Sequence, residues 1–174
     1  TRLKFQELFT YSMKLLLLKK NIKAKSEGIS FPWKEEMKAL KASLPYSLTN
    51  AQTRVVREIL RDEKSNTPMN RLVQGDVGSG KTIVALIAIF NVYTNGYKSA
   101  FMAPTEILAN QHYKEAKKLL SPFNVDIELL TGSTSAKEKL RIKERIKKEE
   151  PIVVIGTHAL IQEDVEFNKL GLVV

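Results

Sequence analysis

The stretch Gly75-Asp76-Val77-Gly78-Ser79-Gly80-Lys81-Thr82 matches the pattern G-x-x-x-x-G-K-S/T at every fixed position. Each residue type has a mechanical reason. Glycines let the backbone bend so that successive N–H groups point inward at phosphate oxygens, and a helix start behind them adds a favourable dipole. Lys81 then reaches the β and γ phosphates of a nucleoside triphosphate, and Thr82 offers its hydroxyl to magnesium, a hard cation that takes oxygen ligands and keeps several waters. A plain glycine turn with Lys81 solvated is the bland alternative. Against it stands the context: residues 69–74 read as a short buried strand and residues 83–93 as an apolar helix, so strand, loop and helix follow in the required order. The loop alone does not separate a kinase, a transporter ATPase, a GTPase and a motor.

A second candidate precedes the loop. Tyr46-Ser47-Leu48-Thr49-Asn50-Ala51-Gln52 leads into Val55, Val56, Ile59 and Leu60 at helical spacing, and Thr49 with Gln52 forms a capping box. Two readings of Gln52 stay open: a side chain that merely reaches back to the Thr49 amide, or an amide near the loop that offers adenine a donor and an acceptor. His112 and His158 are the only histidines, and without cysteine or an H-E-x-x-H pattern they make no zinc site.

These groups need a scaffold, and the chain beyond the loop alternates regularly. Strands are expected at 99–103, 126–131, 152–155 and 172–174, with helices at 105–120 and 136–148. The last two strands are apolar enough for burial on both faces. Such alternation implies a parallel sheet covered on both sides, with right-handed crossovers. Ligands of these sheets sit beyond the carboxyl ends of the strands. There stand Pro104-Thr105-Glu106, Gly132-Ser133 and Gly156-Thr157-His158, whose amides and hydroxyls suit phosphate and equally suit capping the helices that follow. Helix 136–148 carries Lys137, Lys139, Arg141, Lys143, Arg145, Lys147 and Lys148 around a narrow stripe of Leu140 and Ile146, the pattern of a solvated face.

Upstream, Leu3, Phe5, Leu8, Phe9, Ser12, Met13, Leu15 and Leu16 recur at helical spacing, an amphipathic helix over 3–20 expected to lay its stripe on the next domain. Residues 26–32 read as a linker punctuated by Gly28 and Pro32. Met37, Leu40 and Leu44 make a short helix that Pro45 ends, which puts a boundary near 44–46.

A chain of 174 residues fits one domain with an appendage. Its formal charge of +9 is uneven: residues 1–45 hold ten Lys/Arg against four Glu, which leaves 18 against 15 in the remainder. The nucleotide-binding part is therefore only mildly basic, and charge alone does not decide for a polyanion partner. Absence of cysteine excludes disulfides and thiolate metal sites and fits a reducing cytoplasm. The block Leu15-Leu16-Leu17-Leu18 is too short to span a bilayer and precedes no cleavage site, so neither a membrane span nor a signal peptide is expected. Thr1 in place of methionine leads us to expect a fragment.

Assembled, these motifs resemble the superfamily-2 helicases, and within them the RecG family of bacterial DNA translocases that remodel stalled replication forks and Holliday junctions. The resemblance covers nearly the whole chain. Leu48-Thr49-Asn50-Ala51-Gln52 is similar to the adenine-reading Q motif and residues 75–82 to motif I. Ala103-Pro104-Thr105-Glu106-Ile107-Leu108-Ala109-Asn110-Gln111-His112-Tyr113 resembles motif Ia, Leu129-Leu130-Thr131-Gly132-Ser133 motif Ib, and Gly156-Thr157-His158-Ala159-Leu160-Ile161 motif Ic. Transcription-repair coupling factors have a similar motor. Gln74, Ser79, the run through Gln162-Glu163 and the opening Arg2-Leu3-Lys4-Phe5-Gln6-Glu7-Leu8-Phe9, similar to a linking helix, favour the RecG family.

The resemblance implies a RecA-like P-loop NTPase fold, a three-layer α/β sandwich with a parallel sheet, over residues 46–174, preceded by a helical linker over 1–45. It implies ATP and Mg2+ as cofactors, with Gln52 and residues 75–82 holding the nucleotide and Lys81 and Thr82 in catalytic roles. Pro104, Thr105, Gln111, His112, Thr131, Gly132, Ser133, Gly156, Thr157 and His158 become contacts to the backbone of branched duplex DNA, in the bacterial cytoplasm at the nucleoid. Contacts to phosphate and sugar rather than base edges suit a motor that moves along any sequence. The chain stops at Gly171-Leu172-Val173-Val174, where the family runs on into its D-E-x-H box. The aspartate and glutamate of that box, a wedge domain and a second motor domain are expected to lie outside it. This chain is then expected to bind ATP without turning it over. The competing expectation is a stand-alone nucleotide-dependent binding module.

Overall fold

The computed structural model describes residues 2–25 and 27–174, with side chains given except at Leu3 and residues 18–25. Thr1, Ser26 of the expected linker, and the side chains of Leu3 and Leu18 lie outside that description. The elements in chain order are α1 (Arg2–Lys25), α2 (Glu36–Ser43), α3 (Asn50–Glu63), α4 (Lys81–Thr94), β1 (Lys98–Met102), α5 (Glu106–Leu120), β2 (Ile127–Leu130), α6 (Ala136–Lys147), β3 (Val153–Gly156) and β4 (Leu170–Val173). Two 3₁₀ turns follow α5 and β3.

The four strands form one parallel sheet in the order β2-β3-β1-β4. Side chains alternate across it, as period-2 geometry requires. Val153 and Ile155 of β3 face a core built with α2, α3, α4 and α5, whereas Val154 faces the core with Ile142 and Ile146 of α6. Helices on both faces of a parallel sheet make the three-layer α/β sandwich that the alternation predicts. Its central helix is α4, apolar nearly all round and, apart from half-buried Ala85, buried from Ile83 to Val92; a helix without a polar face has to lie inside. It ends in a Schellman turn, with Gly96 at φ 84°, its N–H on Tyr93 O at 2.9 Å and that of Tyr97 on Val92 O at 3.3 Å.

The structure corrects three expectations. Residues 69–74 form no strand: among the described residues they have no ladder partner, and Leu72 is 87 % exposed. What holds them is Arg71, whose guanidinium binds Asp62 Oδ2 at 2.7 Å and Glu58 Oε2 at 2.7 Å on α3, away from the sheet. Secondly, β4 is an edge strand, half-buried rather than covered on both faces. Between its residues Gly171, Leu172 and Val173 and the segment 67–69 lies a cavity of about 370 Å³.

The third correction concerns α1. Phe5, Leu8, Phe9, Tyr11, Met13, Leu15, Leu16 and Leu17 are all exposed, so the helix lays no stripe on the domain among its described side chains. Consecutive leucines spread apolar groups around the whole circumference, and a helix without a favoured face has nothing to orient on a flat partner.

Residues 27–34 form an extended strap across the domain. Gly28 N–H donates to Asn66 O and Phe31 N–H to Glu63 O, both at 2.8 Å. The Phe31 ring is buried edge-on against Tyr97. Asn91 Nδ2 donates to Phe31 O at 3.2 Å and to Glu63 Oε2 at 2.9 Å, while Glu63 Oε1 and Asn91 Oδ1 have no partner. Burial pushes the Glu63 carboxyl up to about 7, against the opposing hydrogen bond from Asn91. No described helix is long and apolar enough to cross a membrane.

Candidate nucleotide and phosphate-contact site

The bend at 75–82 rests on its glycines. Gly78 and Gly80 sit at φ 80° and 79°, the left-handed region that favours glycine. Lys81, the first residue of α4, folds its ammonium back onto Gly75 O at 2.8 Å and Asp76 O at 2.7 Å. Phosphate oxygens are stronger acceptors for that cation than loop carbonyls. The bend, a helix N-terminus and a lysine at its mouth fit a phosphate chain, and Thr82 stands half-buried in the first helical turn.

Gln52 makes the capping box and also lies beside the glycine loop. Its Oε1 accepts the Thr49 N–H at 2.9 Å and its own N–H donates to Thr49 Oγ1 at 3.2 Å, which closes the capping box. Its Nε2 meanwhile donates to Ser79 O at 2.8 Å, inside the glycine loop. The amide beside the loop is thus a geometric fact, and both of its ends are occupied.

Topology sets the remaining candidates at the same edge. A three-residue turn joins α4 to β1, so the helix runs back along the strand and its N-terminus lies at the carboxyl end of the sheet. There the three post-strand segments are stitched together: Ala103 N–H binds Gly156 O at 2.8 Å and Thr157 N–H binds Leu130 O at 3.3 Å. Pro104, Thr105, Gln111, Gly132, Ser133 and His158 are exposed. Thr131, Gly156 and Thr157 are buried. A Cβ at Gly156 would collide with Leu130 O, so that glycine serves packing. The Thr105 hydroxyl accepts Leu108 N–H at 3.3 Å as an ordinary helix cap. The His112 ring stacks on Phe101 with centroids 4.9 Å apart and is only partly accessible.

Two features lie outside what the residue types suggest. Glu106, read from sequence as part of the post-strand segment at the start of helix 105–120, accepts from Ser133 N–H at 3.0 Å and from Ser133 Oγ at 2.7 Å. The charged helix α6 is more than a solvated face. Its Arg141 and Arg145 share Glu128 of β2, Arg145 also pairs with Asp126, Lys143 with Asp164 and Lys147 with Glu166. No group of three or more His, Cys, Asp or Glu suited to a metal occurs among the described residues.

Comparison with known proteins agrees with this picture. The DEAD/DEAH box helicase model matches residues 49–174. The chain is similar to the ATP-dependent DNA helicase RecG of Streptococcus pneumoniae, 49 % identical over 99 % of this chain and 26 % of that protein. It is likewise similar to that of Thermotoga maritima, 49 % identical over 99 % of this chain and 22 % of that protein. It thus spans about a quarter of the length of these curated relatives. A solved structure of RecG bound to a three-way DNA junction superposes with a TM-score of 0.89 at 47 % identity, covering 97 % of this chain and 23 % of that one. A hypothetical ATP-dependent RNA helicase from Sulfolobus tokodaii, 20 % identical with a TM-score of 0.55 over 74 % of this chain and 35 % of that one, shares the fold. The similarity to RecG expected from the motifs holds along nearly the whole chain. With its residues 49–174 matched and its nucleotide loop and parallel sheet in place, the chain belongs to the DEAD/DEAH box helicase family.

Proposed function

We propose that this chain is the nucleotide-binding part of an ATP-dependent DNA helicase that translocates on branched duplex DNA, forks and Holliday junctions included. One observation carries the reading. The glycine loop and the three post-strand segments share the carboxyl edge of one sheet, so a change at the loop lies within a domain's width of the phosphate-facing residues. In this reading Lys81 and the amides of 75–82 hold the ATP phosphates, Thr82 gives magnesium one oxygen, and Gln52 turns its amide from Ser79 O to adenine. Bound magnesium supplies charge neutralisation on the phosphates. Pro104, Thr105, Gln111, Gly132, Ser133 and His158 are the exposed groups that meet the DNA backbone. Thr131, Gly156 and Thr157 shape the turns that present them, and His112 sits against Phe101 behind them.

Relatives about four times longer supply the rest of the reading. A wedge domain and a second motor domain of one polypeptide are its partners, and the bacterial cytoplasm at the nucleoid is its place of work. Titrating the chain with a fluorescent ATP analogue and magnesium, then with labelled forked DNA at two salt concentrations, tests it. Nucleotide binding that needs Lys81 and salt-sensitive DNA binding are expected. Tight salt-independent DNA binding, or nucleotide binding indifferent to Lys81→Ala, overturns it.

A further inference from the structure

Ser133 is an exposed donor of the proposed DNA track, and both of its donors are already spent. Its N–H points to Glu106 Oε1 at 3.0 Å and its hydroxyl to Glu106 Oε2 at 2.7 Å. The fit is close: a Cβ on Gly132 would stand 2.8 Å from Oε1, so the glycine admits the carboxylate. Lys139 Nζ steadies the same turn from the other side through Gly132 O at 2.8 Å, and Thr131 Oγ1 lies 3.0 Å from Ser133 Oγ. Two oxygens sharing one negative charge, received by an amide and a hydroxyl, reproduce how two non-bridging phosphate oxygens are bound.

We propose that Glu106 is an internal stand-in for a DNA phosphate, a positioning residue that keeps the donors of the 131–134 turn aligned without DNA and must give way when DNA arrives. The inference rests on the DNA-track reading above. The Ser133 hydroxyl and amide hold the Glu106 carboxyl below the usual carboxylate range, so its charge persists at neutral pH. Displaced, the carboxylate remains in the first turn of α5, where a negative charge is favoured by the helix dipole. Leaving Ser133 therefore does not strand it. Until it leaves, its charge repels the incoming phosphate, so it sets how tightly the track holds DNA.

The test compares wild type with Glu106→Gln and Glu106→Ala, each checked by thermal melting, using fluorescein-labelled forked duplex at two salt concentrations. Glu106→Gln keeps the shape and one acceptor but removes the charge. It is expected to bind about three- to tenfold tighter, the size of one like-charge contact removed at about 5 Å in high-dielectric surroundings. Its salt dependence is expected to steepen, and adding Ser133→Ala is expected to remove the gain. In the ¹⁵N-labelled chain, the Ser133 amide signal is expected to shift on adding inorganic phosphate to Glu106→Gln and to stay put in wild type. Unchanged or weaker DNA binding by both variants overturns the proposal and makes the contact a simple brace. If no variant binds DNA but the Ser133 amide of Glu106→Gln still answers phosphate, the stand-in holds and the DNA reading falls. Silence in both experiments defeats the proposal.

Discussion

The carboxamide of Gln52 donates to the carbonyl of Ser79 across 2.8 Å while its oxygen caps the helix that carries it. One side chain thus joins the start of α3 to the glycine loop 27 residues later. Substitution can separate its two duties. Gln52→Glu keeps an acceptor for Thr49 N–H and loses the donor to Ser79. Nucleotide affinity is expected to fall about tenfold, a donor lost at a polar contact, with little change in melting temperature. Gln52→Ala is expected to lose the bond to Thr49 N–H as well, at about 1 kcal/mol, while the Thr49 hydroxyl still caps the helix. Nucleotide titration beside chemical denaturation checks both, and a purely stabilising role is revealed if only denaturation moves.

Lys81 rests on two loop carbonyls that a phosphate chain would replace as its partners. Removal of the ammonium by Lys81→Ala is expected to weaken nucleotide binding by at least about 1.5 kcal/mol, the lower end for a charge-assisted hydrogen bond. Thermal shift supplies the readout: magnesium and ATP raise the melting temperature of wild type through linkage and leave the variant nearly unmoved.

Glu63 gives the fold an unusual pH dependence. A carboxyl raised to about 7 when folded holds its proton more tightly than in the unfolded chain. Its stabilising share is therefore complete below the ordinary glutamate range near 4.5 and disappears as pH climbs through about 7. The share amounts to about 3 kcal/mol by the pKa difference. Melting curves of wild type and Glu63→Gln between pH 4.5 and 8 are expected to diverge along that slope, with the glutamine variant flat. Parallel curves would show that the carboxyl titrates normally.

The ion pairs of α6 bear on the binding-module alternative. Lys143 and Lys147 are engaged with Asp164 and Glu166, so they contribute little free positive charge. Replacing both by alanine is expected to change forked-DNA affinity less than twofold at about 0.15 M salt, where exposed charges are screened beyond about 8 Å. A large loss would shift the polyanion contact from the strand ends to this helix.

Much of the sheet was legible because parallel strands leave plain marks. Ile152, Val153, Val154 and Ile155 form an apolar run short enough for one strand, and Thr105 marks the start of the helix after β1. The segment around Leu72 and Val73 carries a similar run yet pairs with no strand among the described residues, because apolar composition cannot report whether a neighbouring strand is present. Four consecutive leucines in α1 likewise satisfy a helical stripe at some positions while contradicting it at the others. At the site, the glycine loop was legible from spacing alone. The grip of Glu106 on Ser133 was not, since it joins residues 27 positions apart through a turn that only the fold brings together.

The strap of residues 27–34 also acts as a mount. Amides and side chains tie it at Gly28, Ser30, Phe31, Pro32 and Lys34 to Asn66, Lys64, Glu63, Asn95 and Thr94. The strap is therefore held by bonds spread along its length rather than by a single anchor. Those bonds end at or just past the carboxyl ends of α3 and α4, so the strap ties together the two helices whose opposite ends carry Gln52 and Lys81.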